Sequence, residues 1–239
     1  MTLQIPSNRV VSASCTLRDG RRIDVGRFID TGKAFITRYD ICGVPTDHST
    51  YDSNYVFSAV TISTDIRRDS IDIEDINASE QNIFVAGNYT DEAGVIHPLI
   101  VHFFPDTELA SAYVGQERGY LSGIIMDQEG NYCSIYGCGT ILNEHGHVVE
   151  GILIKDPLYG PEDSSRENYT NRTVLYHHGS ETPSSFRSIA LDAVGFVICV
   201  GFNHNNSSDT DFDYIVKYHP GSENVDDEEP FRLVEIMTV

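Results

Sequence analysis

The chain has 239 residues, of which 40% are hydrophobic, with 13 Tyr, 11 Phe and no Trp, and its 36 acidic against 16 basic side chains give a formal charge of −20. That composition belongs to a folded β-rich protein rather than a disordered one. Acid in such excess repels a phosphate backbone and an anionic membrane alike, so neither nucleic acid nor membrane is expected as a partner.

The N-terminal MTLQIPSNRVVSAS has no basic stretch leading into an apolar run, and nowhere do about 18 apolar residues follow one another, which predicts a cytoplasmic protein. The five cysteines form no Cys-x-x-Cys pair. Cys15 and Cys199 fall within predicted strands and read as small core residues in a reducing compartment.

In the first quarter Val11, Ala13, Cys15 and Leu17 alternate with Ser12, Ser14 and Thr16, the two-residue period of a half-buried strand. Strands over 22–28 and 34–39 follow around the turn Asp30-Thr31-Gly32. The Asp/Gly-rich stretch 40–53 reads as a loop, and 55–63 alternates again as a fourth strand. The second quarter places apolar runs at 71, 84–86, 99–104 and 109–114. The third places them at 120–126, 132–136, 148–155 and 172–177, the last two separated by PLYGPEDSSRENYTN. In the fourth, a run ending at Leu191 meets a turn at 192–195 and a β-branched strand at 196–200. A polar NHNNSSDTD, the alternating segment 212–218 and, after ENVDDEE, a last strand from 231 complete it. Ala190, Leu191, Val200 and Val216 are expected to face the core.

A strand ending in glycine recurs at Gly26, Gly87, Gly137 and Gly201, and each is followed by an apolar strand with one basic residue, Arg38, His102, Lys155 or Lys217. Because the basic residues recur with the repeat, they read as part of its structure. A repeat of this length decides the architecture. Four four-stranded sheets that cannot bury both faces alone are buried by stacking radially, which predicts an all-β small β-propeller. The expectation is about four blades of four antiparallel strands, near 8–64, 69–115, 119–178 and 185–239, in a single domain over 1–239. A fifth blade merged into the long periods is the alternative.

The pattern resembles a bacterial propeller repeat, the delta-sixty repeat. The resemblance rests on Ala190-Leu191-Asp192, Gly195, Cys199-Val200-Gly201 and Asp211-Phe212 through Lys217-Tyr218, with weaker echoes at Asp19-Gly20, Gly26 and Arg38-Tyr39. It implies a propeller blade and brings no catalytic residues. The second repeat departs from it with Ala78-Ser79-Glu80-Gln81 at the turn, and the third with Asp156 after its basic residue. The resemblance further implies that ligands meet the face where the second-to-third strand turns gather with the connections between blades. In this chain that face collects Asp30, Arg67, Arg68, Arg118 and Asn205, together with the residues expected to bind, Asp91, Glu92, Glu144, His145, His147, His178, Asp209 and Asp211.

Asp209-Thr210-Asp211-Phe212-Asp213 has the alternating carboxylates of a calcium loop, but Tyr214 stands where such a loop needs glycine and Pro220 where it needs glutamate, so an acidic hairpin is the better reading. His145-Gly146-His147 and His177-His178 offer imidazoles but too few ligands for zinc. No cofactor is expected. The nucleophile and phosphate motifs Gly-x-Ser-x-Gly, His-Glu-x-x-His and the P-loop do not occur. The expectation is therefore a non-enzymatic binding protein whose acidic face holds a basic protein, in an inhibitor-like, antitoxin-like or scaffolding role. The alternative is a glycan-binding or glycan-cleaving propeller that stacks sugars on Tyr89, Tyr113, Tyr120 and Tyr159.

Overall fold

The computed structural model describes residues 8–52, 71–80, 82–104, 109–129, 132–158, 174–178, 182–205, 208–220 and 231–238. The described residues contain sixteen strands and no helix. They form four antiparallel meanders in strict chain order, the pattern of propeller blades. The first sheet comprises β1 (Arg9–Thr16), β2 (Arg22–Phe28), β3 (Ala34–Tyr39) and β4 (Pro45–Asp52); the second comprises β5 (Ile71–Ala78), β6 (Ile83–Thr90), β7 (Ile96–Phe104) and β8 (Leu109–Val114). The third comprises β9 (Gly119–Glu129), β10 (Tyr132–Leu142), β11 (Val148–Leu158) and β12 (Val174–His177); the fourth comprises β13 (Ser184–Leu191), β14 (Val197–Asn205), β15 (Thr210–Pro220) and β16 (Phe231–Thr238).

Four of the hairpins are made by one recurring five-residue device. An Asp or Asn at the first position accepts amide hydrogen bonds on its side-chain oxygen, and a glycine at the fourth takes positive φ: Asp40 with Gly43, Asp91 with Gly94, Asn143 with Gly146, Asp192 with Gly195. This is a type I turn closed by a left-handed residue, which matches the twist of the flanking strands. At Asp40 it corrects the expected loop over 40–53, because the chain reverses at once and 45–52 becomes β4. The strand expected over 55–63 lies outside the described residues.

The repeated glycine has a steric cause. In every sheet the first strand carries a bulge, at Ser12, Glu74, Ser122 and Arg187, that aims a carbonyl at the second strand. A Cβ on Gly26, Gly87, Gly139 or Gly201 would lie 2.0, 2.0, 2.0 or 1.9 Å from the carbonyl oxygen of Val10, Asp72, Tyr120 or Ser185. Only glycine fits there. In the third sheet the equivalent residue is Gly139 and not Gly137, a correction of two positions.

Two of the basic residues of the third strands, Lys217 and His102, brace the turns between the first and second strands. Lys217 Nζ lies 2.8 Å from Asp192 Oδ2 and 4.5 Å from the centre of the Phe196 ring. His102 Nε2 is 2.8 Å from Asn82 Oδ1, and its ring stacks 4.1 Å from that of Phe84. Lys155 is buried in β11.

The chain divides into two compact units, Met1–Gln116 and Glu117–Val239. In the first unit β1, β2 and β3 pack on β5. Ile23, Val25, Ile36 and Tyr51 meet Ile73, Val85, Leu99 and Phe103 in its core. In the second unit β13 lies on β9, β10 and β11, and Tyr136, Cys138 and Leu153 meet Phe186, Cys199, Tyr214, Val216 and Tyr218. A polar seam fixes the register between these two sheets. Thr140 Oγ1 is 2.6 Å from Ser185 Oγ, Ser122 Oγ donates to the Phe186 carbonyl at 2.6 Å, and the Gly151 amide donates to Ser184 Oγ at 3.0 Å.

The expected burial holds for Val216 but not for its neighbours. Val200 is 42% exposed, Ala190 is exposed and Leu191 is half-buried. Along β14 the inward residues are Val197, Cys199 and Gly201, so Val200 falls on the opposite face by the two-residue period of a strand.

Candidate functional site

In a meander, the turn between second and third strands and the connection to the next sheet lie at the same end of the sheet. In the first unit that end carries Asp30, Asp91 and Glu92. Asp91 is taken up by its own turn: Oδ1 accepts the Val95 amide at 2.7 Å and Oδ2 lies 3.3 Å from His97 Nε2. The Val95 amide in particular holds this carboxyl below the ordinary range, against the opposing effect of burial. Asp30 and Glu92 are exposed. Arg67 and Arg68 lie outside the described residues. Tyr89 is buried and stacks on His97, so it is no platform for a sugar; Tyr113 and Tyr120 are half-buried, and Tyr159 lies outside the described residues.

The equivalent end of the second unit gathers Arg118, Glu144, His145, His147, His178, Asp209 and Asp211. Asn143 shapes the turn, receiving the amides of His145 and His147, so Glu144, His145 and His147 project from it exposed. Glu144 Oε1 stands 3.5 Å from His145 Nε2. In the neighbouring hairpin Asp209 is the one described non-glycine residue at positive φ, 53°, and its side chain is 98% exposed. His204, opposite Asp211 in the ladder, places Nδ1 2.8 Å from Asp211 Oδ1 and Nε2 3.6 Å from Asp209 Oδ1. Asp213 is exposed opposite Phe202. Asn205 ends β14. Among the described residues no group of three or more His, Cys, Asp or Glu side chains is placed to hold a metal ion.

His178 turns inward instead of projecting. It hydrogen-bonds the Tyr218 hydroxyl and packs on Phe186, Tyr214 and Tyr218 with ring centres 5.3 to 6.2 Å away. Burial pushes its pKa down, against the pull of the Glu150 charge. Burial likewise pushes the Tyr214 and Tyr218 hydroxyls up, so both stay neutral.

His177, the preceding residue, faces the other way. Its Nδ1 lies 2.7 Å from Glu150 Oε1 and its Nε2 3.1 Å from Glu117 Oε1. Burial alone would lower its pKa; the Glu150 hydrogen bond and the two carboxylate charges overcome that and raise it. Glu117, Glu150, His177 and His204 were not among the residues expected to bind. The His177-His178 pair was visible in the sequence, but its carboxylate partners come from β11 and from the connection before β9, which no spacing discloses.

No protein-family model matches the chain, and no curated protein matches it. Among solved structures, it is similar to an exo-1,5-alpha-L-arabinanase from a bovine ruminal metagenomic library, at 8% identity and a TM-score of 0.30 over 92% of this chain and 97% of that one. Among the described residues, four four-stranded antiparallel meanders make this an all-β protein with the strand order of propeller blades.

Proposed function

We propose that the protein is a non-enzymatic binding protein that holds a basic protein partner at the loop end of its second unit. The observation that carries this reading is the composition of that end. Glu117, Glu144, Glu150, Asp209 and Asp211 stand there, each with a histidine nitrogen within 3.6 Å. With the chain at −20 overall, the field at this end favours a cationic segment.

The test is association with poly-L-lysine at low and high salt, for the wild type and for a variant carrying E117Q, E144Q, D209N and D211N. The wild type is expected to associate faster at low salt, and the variant to lose most of that gain. Neutralising the acidic run 226–229 is expected to do less, since the connection from β15 to β16 leaves the opposite end of the sheet. That run lies outside the described residues. Association that ignores salt, or binding of a neutral oligosaccharide instead, overturns the reading in favour of a glycan ligand.

A further inference from the structure

One imidazole stands between two carboxylates at the place where the chain enters the second unit. His177 ends β12, Glu150 lies near the start of β11, and Glu117 belongs to the short connection that joins β8 to β9. That connection is otherwise held by backbone contacts: the Gly115 amide donates to the Pro98 carbonyl at 2.8 Å, and the Leu142 amide donates to the Arg118 carbonyl at 2.9 Å. Glu117 and His177 add a side-chain tie between this connection and the body of the third sheet.

The geometry makes opposite demands on the two protonation states. A charged imidazolium has a donor on each nitrogen and satisfies both carboxylates at once; a neutral ring has one donor, and its second nitrogen presents a lone pair to an anion. With both nitrogens already committed, losing the proton must break one contact. Glu150 lies at 2.7 Å with a side chain 20% exposed, whereas Glu117 lies at 3.1 Å and is 41% exposed. The longer and wetter contact is the one that gives way, because water compensates Glu117 more easily than Glu150.

We propose that Glu117, His177 and Glu150 form a proton-operated latch that ties the 115–118 connection to the third sheet when the imidazole is charged and releases it when the ring is neutral. Among the described residues, the charged groups near the ring come from three places. Glu150 comes from β11, the strand on which β12 packs, and Glu117 comes from the connection with exposed Arg118 beside it. Lys155, also on β11, is buried further along that strand, opposite Val174. His178 is turned away into the aromatic cluster. The raised pKa of His177 agrees with an imidazolium held by both acids. The latch does not depend on what the loop end binds.

Two measurements on the whole chain test it. The first follows the ring nitrogens of His177 by NMR through a pH titration, in the wild type and in E117Q and E150Q. Both variants are expected to lower the midpoint, E150Q more than E117Q; an E117Q midpoint equal to that of the wild type overturns the latch. The second follows hydrogen exchange of the 115–118 amides, corrected for the intrinsic pH dependence. Protection is expected to fall severalfold as pH passes through the His177 midpoint in the wild type and to stay level in H177Q. Protection independent of pH in the wild type, or the same fall in H177Q, overturns it. H219Q serves as the control, since His219 packs on Phe196 and is remote from these carboxylates in sequence and sheet.

Discussion

Cys199 stands opposite Val216 and Val200 opposite Ile215, so adjacent residues of β14 meet opposite environments. A charge at Val216, which is fully buried, has no partner and no water. V216D is expected to cost several kcal/mol, on the order of 3 to 5, and to leave little folded protein. V200D places its carboxylate on the exposed face and is expected to cost roughly 1 kcal/mol or less. Thermal melts of the two variants side by side check this, and equal losses would mean that β14 is turned the other way.

The adjacent histidines 177 and 178 respond to pH with opposite signs. His177 titrates higher in the folded chain than the ordinary value of about 6.5, so its contribution to stability is complete below that value. That contribution is lost as pH rises through the folded value. His178 titrates lower when folded, so the proton prefers the unfolded chain and stability is lost as pH falls below about 6.5. H177Q is therefore expected to weaken the protein more at pH 6 than at pH 8. H178Q should flatten the acid side of the profile, as read from denaturant midpoints at each pH.

At the scale of elements, the two kinds of glycine should fail differently. Gly139 lies against the Tyr120 carbonyl, where a methyl group cannot be placed without moving the bulge, and G139A is expected to cost about 2 to 3 kcal/mol or more. Gly146 has open space around it but φ of +80°, so G146A bears only the left-handed penalty of about 1 to 2 kcal/mol. The turn acids offer a second comparison. Asp192 is held below the ordinary carboxylate range by Lys217 first and then by the Phe196 and Val194 amides. Asn143 shows that an amide oxygen serves the same turn. D192N is expected to keep the hairpin and lose only the Lys217 pairing, whereas D192A loses both, with the larger drop in melting temperature.

For the whole molecule, far-ultraviolet circular dichroism is expected to show β-structure without a helical signature, since the described residues contain sixteen strands and no helix. The charge of −20 sets a second expectation. Capture of a polycation should weaken as salt shortens the Debye length from about 10 Å at 0.1 M to about 3 Å at 1 M. A response of the same size in the variant carrying E117Q, E144Q, D209N and D211N would assign it to the overall field and not to the loop end of the second unit.

Sequence alone carried the fold as far as local physics reaches. Period-two runs, Asp/Gly punctuation and a glycine-ended strand repeated four times identify four meanders, because strand alternation and turn chemistry are properties of short segments. Three things needed the tertiary structure. The bulges at Ser12, Glu74, Ser122 and Arg187 interrupt the period of two, and in the third sheet the glycine they require is Gly139, while Gly137 imitates it two residues earlier. The facing of Val200 depends on which side of the fourth sheet receives the third, which the apolar run 196–200 does not reveal. The acid and imidazole groups were recognisable as residues, but their pairing was not. Asp91 spends its carboxylate on a turn, His178 turns into the aromatic cluster, and Glu117, Glu150 and His177 converge from three separate segments, since only packing decides which side chains meet across a sheet.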